Sequence, residues 1–359
     1  MNVYRLLTVL TLLGLTLFIT ACGPEPEAAP ASSAPIGQSV VIKAPLGLPA
    51  VPIPSDNPPT VETIALGRRL YYDPALSVDG TISCSSCHRP DAGFADPDQF
   101  SSGVGGKKGG RQAPSVINAA YYTTQFWDGR EPSLEAQALG PIANPIEMAH
   151  TLDALEEQLN ADAGYVEQFE KAFGPGGVTR DRLKKAIASF ERTVLSGNSP
   201  FDRFMYGGEA DALSKEAKRG LEVFRKPEKG NCAVCHTLED DQALFSDSKF
   251  HNLGVGANLD GTLADEGRFA VTNKDEDRGA FKTPTLRNIA QTAPYMHDGS
   301  LKTLKEVIDF YVGAGNSNDW LDKDLKELDH LTGQERTDLE AFLNALTAEM
   351  PAETGAPTS

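Results

Sequence analysis

The sequence predicts a mainly α-helical protein of two domains, and three observations carry that prediction. Apolar residues recur at helical spacing behind capping residues, and alternating strand patterns are nearly absent. The pattern C-x-x-C-H occurs twice, as Cys84-Ser85-Ser86-Cys87-His88 and as Cys232-Ala233-Val234-Cys235-His236, with one copy on either side of Gly207-Gly208. The glycine pair sets the expected boundary between a first domain at residues 60–206 and a second at residues 207–348.

The doubled motif dictates the chemistry. Two thiols three positions apart, followed directly by histidine, suit covalent attachment of a c-type haem: each sulfur forms a thioether with a vinyl group, and the imidazole binds iron. A zinc knuckle would need two more ligands beside each pair, and a redox C-x-x-C or a local disulfide does not call for a trailing histidine twice. The expected cofactors are therefore two c-type haems, held by Cys84, Cys87 and His88 and by Cys232, Cys235 and His236, in two cytochrome-c-like domains.

Taken in order, the chain opens on an apolar run at residues 6–21 with one arginine before it, ending at Cys22, the only cysteine outside the haem motifs. That run is short for a spanning helix and has the form of a lipoprotein signal peptide at residues 1–21, with lipidation at Cys22; an uncleaved anchor is the alternative. Both place the body outside the cytoplasm, in a periplasmic or other extracytoplasmic space and tethered to a membrane. Residues 22–59 hold ten prolines and few charges, the composition of a linker without structure of its own.

From Val61 the period turns helical through Ile64, Ala65, Leu66 and Leu70 until Asp73-Pro74 stops it. Residues 89–115 are rich in Gly, Lys and Asp and read as a loop. Thr179 caps a helix carrying Leu183, Ile187 and Phe190, and Ser214 caps one carrying Ala217, Leu221 and Phe224. Capping boxes at Thr303/Glu306 and Thr332/Glu335 open two more helices. No short-period repeat is visible beyond the doubled motif, and residues 349–359 are expected to form a disordered tail.

The formal charge is −17, or −18 once residues 1–21 and their single arginine are removed. Such a balance argues against nucleic acid and suits a basic redox partner.

Two further stretches carry a resemblance. The first is Phe126-Trp127-Asp128-Gly129-Arg130 with Gln137, Gly140-Pro141-Ile142, Asn144-Pro145 and Glu147-Met148. The second is Phe281-Lys282-Thr283-Pro284-Thr285-Leu286-Arg287-Asn288 followed by Thr292-Ala293-Pro294-Tyr295-Met296-His297-Asp298-Gly299. Over residues 56–347 the chain is similar to the bacterial dihaem cytochrome c peroxidase family, which includes the MauG-type enzymes. The resemblance implies that hydrogen peroxide binds opposite His88, that Gln137 and Glu147 lie over that open face, and that Trp127 carries the oxidising equivalent between the haems. A carboxylate suits Glu147's place, because O–O cleavage needs one group to move a proton from the inner oxygen to the outer. The plainer alternatives are a helix-start carboxylate at Glu147, a packed aromatic at Trp127 and a solvated amide at Gln137.

Two departures from the ordinary pattern matter. Many members cover the peroxide-binding iron with a histidine from the loop after the first motif, yet no histidine or methionine lies between Arg89 and Glu147. The helix position that supplies methionine to the other iron holds Tyr311, as in MauG-type proteins; the rivals are Met296 and His297, and the bland reading is packing on the apolar stripe. The resemblance also implies a calcium ion held by backbone oxygens of Thr292 and Pro294, with Gln112 where an asparagine is usual. Asn252 and Arg268 are candidates for a haem edge.

The function so implied is a peroxidase that reduces hydrogen peroxide with electrons from a small cytochrome c or cupredoxin. Its rivals are a MauG-like enzyme that oxidises Tyr or Trp side chains of a protein substrate, and a dihaem electron carrier without catalysis. A homodimer is compatible with any of them.

Overall fold

The computed structural model describes residues 32–357, so the expected signal peptide and Cys22 lie outside the described residues. The helices are α1 Val61–Tyr72, α2 Cys84–Cys87, α3 Leu134–Ala143, α4 Leu152–Asn160, α5 Ala163–Phe173, α6 Arg180–Glu191, α7 Pro200–Met205, α8 Lys215–Arg225, α9 Phe269–Thr272, α10 Leu304–Val312 and α11 Gly333–Asn344. The only sheet among the described residues is an antiparallel pair, β1 Phe250–His251 and β2 Phe281–Lys282. None of these helices is long and apolar enough to cross a membrane.

The helix starts obey the capping chemistry read from the sequence. Thr179 and Ser214 each accept a backbone N–H of the first turn, and both capping boxes close, Thr303 with Glu306 and Thr332 with Glu335. Asp73 ends α1, as Asp73-Pro74 requires.

Apolar side chains collect on two sides of the molecule. Residues between Leu66 and Val194 form two clusters in the first half; a third cluster gathers Phe201, Phe224, Phe245, Tyr295, Ile308, Phe342 and their neighbours in the second. Phe201 is fully buried there, and Phe204, Met205 and Tyr206 pack against the same cluster. The expected boundary at Gly207-Gly208 thus falls inside the second core, because α7 turns its apolar face to α8 and α11 rather than back to the first half.

The halves repeat one plan that residue identity conceals. In the first, α1 crosses α6 so closely that a Cβ on Gly67 would lie 1.9 Å from the Ala186 carbonyl oxygen; in the second, α8 crosses α11, and a Cβ on Gly220 would lie 1.9 Å from the Asp338 oxygen. Asn118 and Asn288 both take left-handed backbone before a 3₁₀ turn. The strand bridges Gln125 with Glu131 and Tyr295 with Leu301 frame Asp128-Gly129 and Asp298-Gly299 alike.

Two expectations fail. The linker expected to be unstructured over residues 22–59 forms, in its described part from residue 32, a strap bound to both halves. Arg182, fully buried on α6, donates to the Ser32 carbonyl at 2.6 Å; Asn57, also fully buried, donates to Glu135 Oε1 at 2.7 Å; Tyr121 Oη donates to Pro49 O at 2.9 Å. Composition had no means to show this, since the strap is held by buried side chains elsewhere that recruit its backbone carbonyls. The tail expected to be disordered is likewise held through its described part: Arg68 Nε donates to Gly355 O at 2.6 Å, Tyr72 Oη to Thr354 O at 2.6 Å, and Met350 packs on the first half.

Where the strap meets the second core, Arg287 and Asp202 form a fully buried bidentate pair at 2.8 and 2.9 Å, and the same guanidinium donates to Gly47 O and Ala243 O, each at 2.8 Å. Removing one partner strands the other charge without solvent, which costs about 3–5 kcal/mol. Asp202→Ala should lower unfolding stability by that order in a denaturant titration; an unchanged midpoint would contradict the role given to this pair.

Candidate haem and peroxide site

Each C-x-x-C-H motif ends on an imidazole whose Nδ1 is tied to the backbone. His88 Nδ1 lies 2.9 Å from Pro114 O, with the Phe94 carbonyl also near; His236 Nδ1 lies 2.9 Å from Phe245 O, with the Pro284 carbonyl near. Phe94 and Phe245 both hold left-handed backbone, and each N–H bonds the carbonyl of the residue after the histidine, Arg89 or Thr237. The two sites therefore use one pair of carbonyls, with the nearer member exchanged. A carbonyl oxygen can only accept, so Nδ1 carries the proton and the Nε2 lone pair is left for a metal. Burial lowers both imidazole pKa values, which keeps the rings neutral.

The thiols suit thioethers better than metal thiolates. Burial pushes Cys84 up and Cys232 up to about 12, whereas an uncharged thioether is cheap to bury. Cys235 also lies within 4.8 Å of ligand atoms on Asp247 and His251. A sulfur committed to haem is no thiolate ligand, and His251 is already engaged by Asp322 at 2.5 Å and Asp247 at 3.1 Å.

A cleft of about 390 Å³ runs from the second motif toward the first half, lined by Cys232, Cys235, His236, Tyr311, Met296 and His297 on one side and by Trp127, Tyr122 and Gln112 on the other. Its walls and donor set fit a haem at the second motif, with His236 as one ligand. Tyr311 lies on α10, and burial beside Cys232 and Cys235 raises its phenol pKa. His297 is stacked on Phe281 at 3.6 Å between centroids, and burial lowers it to about 4. Gln112, Thr292 and Pro294, the three residues named for calcium, all line this cleft. Gln112 donates its side-chain amide to Asp96 O at 3.1 Å and its backbone N–H to His297 O at 2.8 Å.

Of the residues named for peroxide chemistry, Glu147 and Trp127 are held firmly. Glu147 follows α3 and accepts from Asn144 Nδ2 at 2.7 Å; burial raises its pKa, opposed by that bond and by Arg130, and its charge reaches Cys87 of the first motif. The glycine loop packs against it, with Val104 N–H donating to Glu147 O at 2.8 Å and Lys107 Nζ to Pro145 O at 2.9 Å. Trp127 is half-buried and donates Nε1–H to Gln112 O at 2.8 Å. Gln137 is half-buried on α3, and its amide has no hydrogen-bond partner among the described residues.

Sequence reasoning missed the clasp around these groups. Arg268, a candidate haem-edge residue, instead donates to the Asp128 and Gly129 carbonyls at 2.8 Å each, and Arg111 bridges Asp128 at 2.6 Å and Asp265 at 2.7 Å. Asn252 donates to Arg278 O at 2.7 Å, a loop contact. Lys282, 6 % exposed, was missed as well; it donates Nζ to Thr124 O at 2.9 Å, and burial lowers its ammonium to about 7, opposed by Asp128. The usable signal was the repeated A/T-P-S/T-x-x-N at residues 113–118 and 283–288, which marks equivalent loops.

A family model for di-haem cytochrome c peroxidases matches residues 61–210. The chain is 41 % identical over 308 residues to the methylamine utilization protein MauG of Methylorubrum extorquens, covering 85 % of this chain and 84 % of that one. It is 36 % identical over 303 residues to the cytochrome c551 peroxidase of Nitrosomonas europaea, covering 84 % and 85 %. A solved MauG-like protein associated with microbial copper homeostasis superposes with a TM-score of 0.77 at 36 % identity, covering 87 % of this chain and 96 % of the other. The chain belongs to the di-haem cytochrome c peroxidase family. It is accordingly an oxidoreductase acting on peroxide that carries two c-type haems.

The purified holoprotein should contain two covalent haems per chain by pyridine haemochrome assay, and the Cys232→Ala/Cys235→Ala protein should contain one. A double variant that keeps both would contradict the attachment sites.

Proposed function

We propose that the protein is a dihaem c-type peroxidase that reduces hydrogen peroxide to water with electrons from a small periplasmic redox protein, a cytochrome c or a cupredoxin. The observation that carries this reading is Glu147: a half-buried carboxyl group whose charge reaches Cys87 of the first motif, raised in pKa by burial, held by Asn144 Nδ2, and on a backbone tied to the loop at Val104. An electron carrier has no use for such a group.

When bound, the haems supply the redox chemistry, and the protein supplies position and proton handling. His88 and His236, each held through Nδ1 to a backbone carbonyl, would bind the irons through Nε2. Glu147 takes the proton from the inner peroxide oxygen and returns it to the outer oxygen as water departs. The absence of histidine and methionine between Arg89 and Glu147 leaves the face opposite His88 open to peroxide. Trp127, in the cleft beside the second motif, passes the second oxidising equivalent. Tyr311 would be the other residue to hold that iron: it lines the cleft and makes no hydrogen bond among the described residues. A hard anionic donor there favours the higher oxidation state and lowers the potential relative to methionine. Gln112 Oε1 and the Thr292 and Pro294 carbonyls supply neutral, hard oxygens for calcium. A lipid at Cys22 would keep the protein at an extracytoplasmic membrane surface.

A second reading, oxidation of Tyr or Trp side chains on a partner protein, is favoured by one observation: tyrosine at position 311, as in the MauG-type relatives, together with the 41 % identity to one of them. Assaying reduced cytochrome c against candidate partner proteins separates the two.

Glu147→Gln should slow peroxide cleavage about 10²–10⁴-fold while leaving the resting spectrum unchanged, in stopped-flow mixing; unaltered cleavage would contradict the role. Because the carboxylate is the base, cleavage is fast above its pKa and fails as pH falls through it, and the raised pKa should place that fall above the ordinary glutamate range. Tyr311→Phe should change the spectrum of the second haem only; an unchanged spectrum would remove Tyr311 as a ligand.

A further inference from the structure

Two oxidisable side chains, not one, stand in the cleft that runs from the second motif toward the first half. Trp127 and Tyr122 both line it, five residues apart on the same loop. Their surroundings differ in sign. Trp127 donates Nε1–H to the Gln112 carbonyl at 2.8 Å, so positive charge on the indole meets the negative end of a dipole. Tyr122 meets the reverse. Its phenol oxygen accepts the Thr285 N–H at 2.7 Å, and no acceptor for its own hydrogen is in range among the described residues. The Lys282 ammonium lies 3.6 Å over the centre of its ring, fixed by the Thr124 carbonyl at 2.9 Å. The same lysine donates its backbone N–H to Trp127 O at 2.8 Å, so one residue touches both candidates.

One-electron oxidation of a tyrosine releases its phenolic proton. At Tyr122 that proton has no base to go to, and the charge that forms faces a cation at van der Waals distance in a buried site. We propose that Lys282 is a positioning residue for electron transfer, whose ammonium over Tyr122 keeps the oxidising equivalent on Trp127. This rests on the peroxide reading above. In that reaction hydrogen peroxide accepts two electrons and two protons and leaves as two waters. An electron drawn from the second site crosses Trp127, which gives it up toward the first site and regains it with its N–H intact on Gln112 O. Leakage to Tyr122 would instead leave a neutral phenoxyl radical and release a proton.

The test mixes the holoprotein with one equivalent of hydrogen peroxide at about pH 6, below the value of about 7 to which burial brings Lys282. Freeze-quenched samples are read by electron paramagnetic resonance, and peptide mapping locates oxidised side chains. The parent and Lys282→Arg should show no tyrosyl signal. Lys282→Met should show one, with oxidation mapped to Tyr122, and Lys282→Met/Tyr122→Phe should lose it. A Lys282→Met protein that consumes peroxide without a tyrosyl signal overturns the proposal, as does a signal that survives in the double variant. Should Lys282→Met not fold, Tyr122→Phe alone decides: peroxide-driven electron transfer within about twofold of the parent supports insulation, and a loss beyond about tenfold makes Tyr122 the carrier and overturns it. A parent that does not react with peroxide at all refutes the underlying peroxide reading instead, so the two failures are distinct.

Discussion

The hydrogen bond from each imidazole Nδ1–H to a backbone carbonyl is the constraint on which the rest of the architecture depends. It selects the tautomer, fixes the ring plane and turns Nε2 outward, and both sites achieve it at 2.9 Å. The carbonyls must be delivered to the same place relative to a short helical turn, α2 in the first motif and a 3₁₀ turn at Cys232–Val234 in the second. That delivery is the work of the left-handed Phe94 and Phe245 and of the loops that begin at Pro114 and Pro284. A surface histidine after two cysteines could satisfy the sequence pattern with none of this; here both rings are half-buried, and burial holds their pKa values below the ordinary histidine range.

Around each site the chain folds on the same plan, and the glycines at the helix crossings show why it tolerates so little change. Gly67 and Gly220 meet a backbone oxygen at a distance that excludes any side chain, so α1 with α6 and α8 with α11 approach as closely as backbones allow. The halves are then joined by ion pairs and by the strap at residues 32–59. Arg111 with Asp265 spans the halves, while Arg287, fully buried in the second half, pairs with Asp202 of α7 and ties Gly47 of the strap to Ala243 by donating to both carbonyls. With Arg111 and Arg268 clasping the Asp128-Gly129 turn, the cleft holding Trp127 has rigid walls, which suits electron transfer, where geometry must not change between turns.

Much of this was legible in the sequence, and the reason is chemical. A haem attachment motif needs fixed residue types at fixed spacing, and helix caps are local, so both survive as readable patterns. Glu147 could be named because the resemblance fixes its spacing from Trp127, a spacing that one helix and a short turn span here. The internal repeat was hidden because its content is backbone conformation: Asn118 with Asn288 and Phe94 with Phe245 share a left-handed φ that no apolar period reports. The strap was misread for a related reason. Proline-rich composition describes the strap alone, whereas its order comes from Arg182 and Arg287, far away in sequence, which donate to its carbonyls. Lys282 was passed over because a lysine in a strand of two residues is unremarkable until Tyr122 is found beneath it.

The central claim is that the two motifs and the cleft between them act as one unit toward peroxide, with the first site open and the second sharing the oxidation. The most direct measurement mixes the fully oxidised protein anaerobically with one molar equivalent of hydrogen peroxide and follows both haems, resolved by freeze-quench Mössbauer spectroscopy. Changes at both haems in a single kinetic phase are the predicted result. A change confined to the haem at His88, or none at either, would contradict the account.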